Sequence, residues 1–136
     1  MTEEKELLLK VLCAMLPYGV KCHFKYGSAE SDIILKCIDG NIARFDYGWY
    51  GKFHVNIDPQ YIKPYLRPLS SMTEKEMSEL RQWGCLCMTP DNCVEDVGVY
   101  GAIHGIPVIV WFISHHFDFC GFIKKGIVLE APDGMY

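Results

Sequence analysis

The spacing of the apolar residues changes at Pro17, and this change limits the fold more than any other feature of the chain. Before it, Leu8, Leu12 and Met15 recur at the three- and four-residue intervals of an amphipathic helix. After it, apolar and polar residues alternate through most of residues 20–53, which predicts strands. A helix followed by several short strands predicts an α+β fold.

The dipeptide Asp39-Gly40 is the strongest turn signal among the predicted strands. Glycine accepts the positive φ of a type I′ turn, so we place a two-residue hairpin loop there. Pro64 lacks a backbone donor, so the strand that contains it is predicted to lie at a sheet edge. The sheet is expected to be small, antiparallel and curled, of the SH3-like kind. Its four or five strands are predicted at residues 20–26, 32–38, 41–45, 52–57 and 62–66.

The best local signal is a capping box formed by Thr73 and Glu76. In this motif each side chain satisfies the other residue's free backbone N–H. Met72 and Met77 stand where a hydrophobic staple places them, so a helix is predicted over residues 74–83. Its charged residues are predicted to form a solvated face: Glu74, Glu76, Glu79 and Arg81.

The remainder of the chain is harder to interpret. Residues 84–105 lack a clear period and are predicted as loop, with one strand at residues 97–103. Residues 107–117 fit both strand and helix, and we favour a helix. Asp118 is predicted to cap a following turn, and residues 127–131 to form a final strand returning to the core.

Composition predicts one globular domain spanning residues 1–136. Hydrophobic residues make up 50% and charged residues 22%, which excludes a disordered chain. The net charge is −4, and the longest basic run is the pair Lys124-Lys125. This balance argues against a nucleic-acid surface, which needs clustered positive charge.

The sequence also predicts a cytoplasmic protein without a membrane segment. The start of the chain is acidic rather than basic, and the longest apolar run, residues 106–113, is too short to cross a bilayer. In the cytoplasm the seven cysteines are expected to be reduced thiols. Phosphate-cradling glycine motifs and common catalytic signatures are missing from the sequence, so we predict no cofactor.

Three segments resemble a family of small uncharacterised proteins common in gut Bacteroidales genomes. They are LPYGVK at residues 16–21, KPYLRPLSSMTEKE at residues 63–76 and HHFDFCGFIKKGIVLEAPDGMY at residues 115–136. Relatives tend to have Tyr-Arg in place of Phe119-Cys120. The resemblance implies accessory proteins, often encoded near phage-like or mobile-element regions, and no established activity.

A zinc site built from Cys85, Cys87, Cys93 and His104 is one hypothesis, because thiolates and imidazole are typical zinc ligands. The Cys-x-Cys spacing lacks the two-residue knuckle of structural zinc sites. Reduced cysteines are also common small core residues, so we favour no metal.

His115, His116 and Asp118 form a compact polar cluster, which is the candidate catalytic group with either Cys120 or Cys93 as its nucleophile. A cysteine with a histidine base is a known nucleophilic pair. A structural interpretation competes with it and is preferred, because histidine suits a helix C-terminus and aspartate suits a cap.

Four rings surround a predicted turn: Tyr47, Trp49, Tyr50 and Phe53. Exposed aromatic loops on small sheets bind peptides or stack on bases, whereas a core role would bury the same rings. The sequence supports both interpretations equally.

These observations favour a non-catalytic interaction or adaptor module with a protein partner. The alternative is an enzyme or metal-binding protein that uses the Cys and His residues. A nucleic-acid accessory protein is the third interpretation.

Overall fold

The computed structural model describes residues 3–47, 51–82 and 109–136. A helical segment at residues 109–114, labelled α3, confirms the helical interpretation there. The predicted loop at residues 84–105, with its strand, lies outside the described residues. The other elements, which confirm the α+β class, are α1 (Glu3–Met15), β1 (Val20–Tyr26), β2 (Ala29–Asp39), β3 (Ile42–Asp46), β4 (Lys52–Asn56), β5 (Ile62–Leu66), α2 (Glu74–Gln82) and β6 (Leu129–Glu130).

The strands form one sheet in the order β4-β3-β2-β1-β5-β6. All pairings are antiparallel except β5 with β6, which is parallel. The prediction that β5 is an edge strand is wrong, because β6 lies beside it. β6 pairs only with Tyr65 and Leu66, beyond Pro64, so the missing N–H of the proline costs no ladder bond.

The hairpin between β2 and β3 differs from the prediction by one residue. Asp39 pairs with Ile42, so the two loop residues are Gly40 and Asn41. Gly40 has φ +62°, whereas Asn41 has no positive φ. A glycine with positive φ at the first loop position alone defines a type II′ turn rather than type I′.

The sheet is strongly curled, as expected. The rings of Phe24 on β1 and Phe53 on β4 lie 5.3 Å apart, although β2 and β3 separate these strands. In a flat sheet, strands three positions apart are about 14 Å apart. Helix α1 packs onto the same core through Leu8, Leu12 and Met15, which are all buried.

A second, smaller core joins α2 to α3, and the predicted capping box stands at its border. Thr73 N donates to Glu76 Oε1 (3.0 Å), and Glu76 N donates to Thr73 Oγ1 (3.2 Å). Met72 is buried in this core and Met77 packs against it, which is consistent with the predicted staple. Its buried residues are Met72, Leu80, Trp111, Phe112 and Phe117.

The predicted solvated face of α2 is wrong for Glu76, whereas the side chain of Glu79 is 37% exposed. Glu76 accepts two hydrogen bonds from the guanidinium of Arg67, each 2.7 Å long. The two side chains are only 13% and 19% exposed, respectively. Glu79 accepts a hydrogen bond of 3.0 Å from Trp111 Nε1. Both carboxylates are engaged because Arg67, just beyond β5, and Trp111 of α3 lie against this side of the helix.

Arg67 connects three parts of the fold. Its backbone N donates to His116 O (2.7 Å), and its carbonyl accepts from Asp118 N (2.9 Å). Its guanidinium lies 4.1 Å from the ring centroid of Phe117 and also donates to Ser71 O (3.2 Å). The end of β5, the start of α2 and residues 116–118 are therefore held by one residue.

The Arg67–Glu76 pair predicts a specific acid sensitivity. Burial alone raises the pKa of Glu76, but the hydrogen bonds from Arg67 and from Thr73 N outweigh it and lower the pKa from about 4.5 to about 2. A lowered folded-state pKa gives stability that is present above pH 4.5 and lost as the pH falls towards 2.

We expect the urea-derived free energy of unfolding to fall less steeply between pH 4.5 and pH 2 in Glu76→Gln than in the wild type. Glu74→Gln, which changes an exposed residue of the same turn, is the matched control; equal slopes in all three proteins would contradict the prediction.

Candidate functional site

An open cleft of about 510 Å³ lies where β1 begins and β5 ends. We call it the His116 cleft. Most of its lining residues come from three segments of the chain that are far apart in sequence, at residues 18–21, 67–76 and 114–136, and Ile34 of β2 completes the lining. Its walls include Tyr18, Lys21, Ile34, Arg67, His116 and Tyr136.

His116 has an unusual backbone and a fixed ring. Its φ is +62°, the only positive φ of a non-glycine residue in the described parts of the chain. The residue is 7% exposed, and Nε2 lies 3.1 Å from Tyr18 O and 2.8 Å from Gly19 O. Carbonyl oxygens only accept, so Nε2 carries a proton. The ring stacks on Tyr136 at 3.8 Å with an interplanar angle of 7°.

The surroundings of His116 favour the neutral imidazole. Burial lowers its pKa, the carbonyls of Gly19 and Tyr18 raise it, and the charges of Arg67 and His115 lower it further. The net effect is a lowered pKa. With the proton on Nε2, the lone pair on Nδ1 is available to accept a hydrogen bond.

Lys21 and Tyr136 form the opposite side of the cleft. Tyr136 Oη donates to Tyr65 O (2.8 Å) and accepts from Lys21 N (3.0 Å). Burial raises the pKa of Tyr136, so its hydroxyl keeps the proton that it donates. The ammonium of Lys21 donates to Met135 O (2.7 Å) and lies 5.8 Å from the Tyr136 ring centroid. Residues 135 and 136 are thereby fixed across the start of β1.

The other candidate catalytic residues contact structural partners. Asp118 accepts from Phe122 N (2.8 Å) and Ile123 N (2.9 Å), which confirms it as a cap. His115 Nδ1 donates to Trp111 O (2.8 Å). Cys120 is half-buried. Its burial is the main cause that raises the pKa of the thiol, and the negative charge of Asp118 raises it further. Within residues 3–47, 51–82 and 109–136, no cysteine sulfur hydrogen-bonds to a histidine.

A further polar cluster lies on the outer face of β1 and β2. His23 Nδ1 contacts Asp32 Oδ1 (3.0 Å), and its Nε2 contacts Glu30 Oε1 (2.9 Å). The hydrogen bond to Asp32 raises the pKa of His23, partial burial opposes it, and Glu30 adds to the rise. Tyr65 Oη donates to the same oxygen of Asp32 (2.8 Å). Both ring nitrogens are occupied, so this histidine has no free nitrogen to act as a base.

The candidate zinc ligands Cys85, Cys87, Cys93 and His104 lie outside the described residues. Among those described, no three His, Cys, Asp or Glu side chains are grouped to hold a metal ion. Likewise, no described helix has the length and apolar character needed to span a membrane.

Two of the four predicted binding rings lie within the described residues, and both contact the core. Tyr47 and Phe53 are half-buried, with ring centroids 5.4 Å and 5.3 Å from that of Phe24. Trp49 and Tyr50 lie outside the described residues.

The same row of rings continues outward to two tyrosines that the sequence did not single out. Phe53 lies 6.2 Å from Tyr26, and Tyr26 lies 5.4 Å from Tyr61. Tyr26 is 52% exposed. These three rings line a groove of about 520 Å³ along β4, which we call the β4 groove.

The backbone of β4 is unpaired on the side of this groove. At the two ends of its ladder with β3, Tyr47 N donates to Gly51 O and Ile57 N donates to Asn41 O, each at 2.8 Å. Antiparallel pairing alternates, so the intervening even-numbered residues direct their N–H and C=O groups away from β3. β4 is the last strand of the described sheet, and these groups form its free edge: Lys52, His54 and Asn56.

No family model matches this chain, and neither a curated protein nor a solved structure matches it significantly. The cleft and the groove are the structural features that bear on its function.

The position of Cys120 predicts slow alkylation by iodoacetamide at neutral pH. Burial and the nearby Asp118 charge raise its pKa, so little reactive thiolate forms. Exposed Cys13 and Cys37 are internal controls, and mass spectrometry of the native protein should show Cys120 reacting more slowly than either. Rapid, selective labelling of Cys120 would contradict this and support a Cys/His enzyme.

Proposed function

We propose that the protein is a non-catalytic interaction module that binds an extended segment of a partner protein in the β4 groove. The observation that supports this best is the free edge of β4 beside the rings of Tyr26, Phe53 and Tyr61. An unpaired strand edge is a template for an added strand, and neighbouring rings supply contact area for its side chains.

Strand addition divides the recognition between backbone and side chains. The N–H and C=O groups of Lys52, His54 and Asn56 pair with the bound segment without regard to its sequence. Every second side chain of that segment lies on the face of Phe53, next to Tyr26 and Tyr61. We therefore expect apolar or aromatic residues at alternate positions of the ligand. The hydroxyl groups of both tyrosines have no hydrogen-bond partner among the described residues and are free for polar contacts.

The charges near the groove favour a protein over a nucleic acid as the partner. Arg44 Nη2 donates to Asp39 Oδ2 (3.1 Å), and Lys52 stands opposite Asp46 in the strand register. Cations that face carboxylates in this way do not form the continuous positive track that phosphate binding needs.

The proposal is tested with 12-residue peptides selected from a random display library against the full chain. The selected peptides are titrated by fluorescence polarisation against the wild type, His54→Pro and His54→Ala. His54→Pro removes one edge N–H without touching the ladder to β3, whereas His54→Ala keeps it. We expect loss of binding in H54P, wild-type binding in H54A, and about tenfold weaker binding in Tyr26→Ala.

Several outcomes would contradict the proposal. These are a library without binders, equal binding by H54P and the wild type, or displacement of bound peptide by oligo(dT). A dimer seen by sedimentation and lost in H54P would show that a second copy of the chain covers the edge instead. The thermal midpoint of each variant shows whether it is folded. If H54P is unfolded, the peptide affinity of Y26A tests the proposal in its place.

A further inference from the structure

We propose that the His116 cleft binds a small carboxylate that carries an apolar body and a hydrogen-bond donor. This site is separate from the β4 groove and does not depend on peptide binding there. Three observations in the cleft define the three parts of the ligand.

The first observation is a cation without a counter-ion. Lys21 is half-buried, and its ammonium contacts one carbonyl oxygen, Met135 O, and the ring of Tyr136. No carboxylate of a described residue lies within ion-pair distance of it. An ammonium has three donors, so two remain for a ligand. A partly desolvated charge of this kind is stabilised by an anion that enters the cleft.

Arg67 does not add a second free cation. Its guanidinium donates to both oxygens of Glu76 and to the carbonyls of Ser71 and His115. With a single available cation, the cleft suits the one negative charge of a carboxylate better than the two of a phosphate ester.

The second observation is an unpaired acceptor. His116 is buried, with 7% of the residue surface exposed, and its Nε2 donates to Tyr18 O and Gly19 O. Its Nδ1 has no hydrogen-bond partner among the described residues. Buried polar atoms in native proteins are usually satisfied, so an O–H or N–H on the ligand is the expected partner.

The third observation is a concentration of exposed apolar side chains. Ile34 is 46% exposed, Tyr18 45% and Tyr136 36%, and all three line this cleft. Together they form walls for a ring or a branched chain, and the volume of about 510 Å³ is within the usual range for small-ligand sites.

The backbone of His116 agrees with a binding role. A non-glycine residue at φ +62° is strained, and such residues persist when the surrounding structure holds them. Here the two carbonyls, the Tyr136 ring and the bond from Arg67 N to His116 O hold it. The strained backbone keeps the imidazole in the wall of the cleft.

The test uses 3-phenyllactate, which has a carboxylate, a hydroxyl donor and a ring. Binding to the 136-residue chain is followed by ¹⁵N–¹H NMR titration. We expect saturable shifts of the amides of Gly19, His116 and Tyr136. 3-Phenyllactamide lacks the charge and 3-phenylpropionate lacks the hydroxyl, and each should bind about tenfold more weakly.

Lys21→Met should also weaken 3-phenyllactate binding about tenfold, because it removes the only available cation among the described residues of the cleft. Lys25→Met is the matched control, because Lys25 lies four residues away on the same face of β1. This variant should bind 3-phenyllactate as tightly as the wild type does. The proposal is overturned if no carboxylate binds saturably, or if amide and carboxylate bind equally to the wild type. Equal binding by K21M and K25M would also overturn it. If K21M is unfolded, the affinities of the wild type for the three compounds still test the proposal.

Discussion

The two parallel hydrogen bonds between Arg67 and Glu76 are the interaction on which the rest of the structure depends. They join a residue just beyond β5 to the first turn of α2, and each side chain is largely shielded from water. Removing one partner of a shielded pair leaves a desolvated charge, which costs far more than losing an exposed ion pair. Glu76 also completes the cap of α2, so the same carboxylate supports the helix and its attachment to the sheet.

The geometry of the His116 cleft follows from this pair. Arg67 N holds the carbonyl of His116, and Arg67 O holds the amide of Asp118. The strained His116 and the Asp118 cap are thus positioned by the backbone of the residue whose side chain binds Glu76. Tyr136 then stacks on His116 and bonds to Tyr65 O, which brings the last described residues against β1 and β5. The β4 groove lies at the other end of the strand order and is built from the curled sheet and from Tyr61, the residue just before β5.

Local signals in the sequence predicted local structure well. The capping box of Thr73 and Glu76, the Asp118 cap and the helical segment at residues 109–114 depend on neighbours a few residues away, and all were confirmed. The hairpin at Gly40 was displaced by one residue, because Asp39-Gly40 and Gly40-Asn41 are both good turn pairs.

The predictions that failed concern long-range contacts. Glu76 was predicted to be solvated because its position in α2 gave no sign of Arg67, and β5 was predicted to be an edge because β6 begins only at Leu129, far along the chain from Leu66. The cleft was missed for the same reason, since His116 and Tyr18 are 98 residues apart.

A double-mutant cycle on Arg67 and Glu76 tests the central role of this pair most directly. The free energy of unfolding is measured in urea at pH 7 for the wild type, Arg67→Met, Glu76→Gln and the double variant. A joint role for the two side chains predicts a coupling energy of about 2 kcal/mol or more, with each single variant nearly as destabilised as the double. A coupling energy below about 0.5 kcal/mol, the value of an ordinary surface pair, would contradict it.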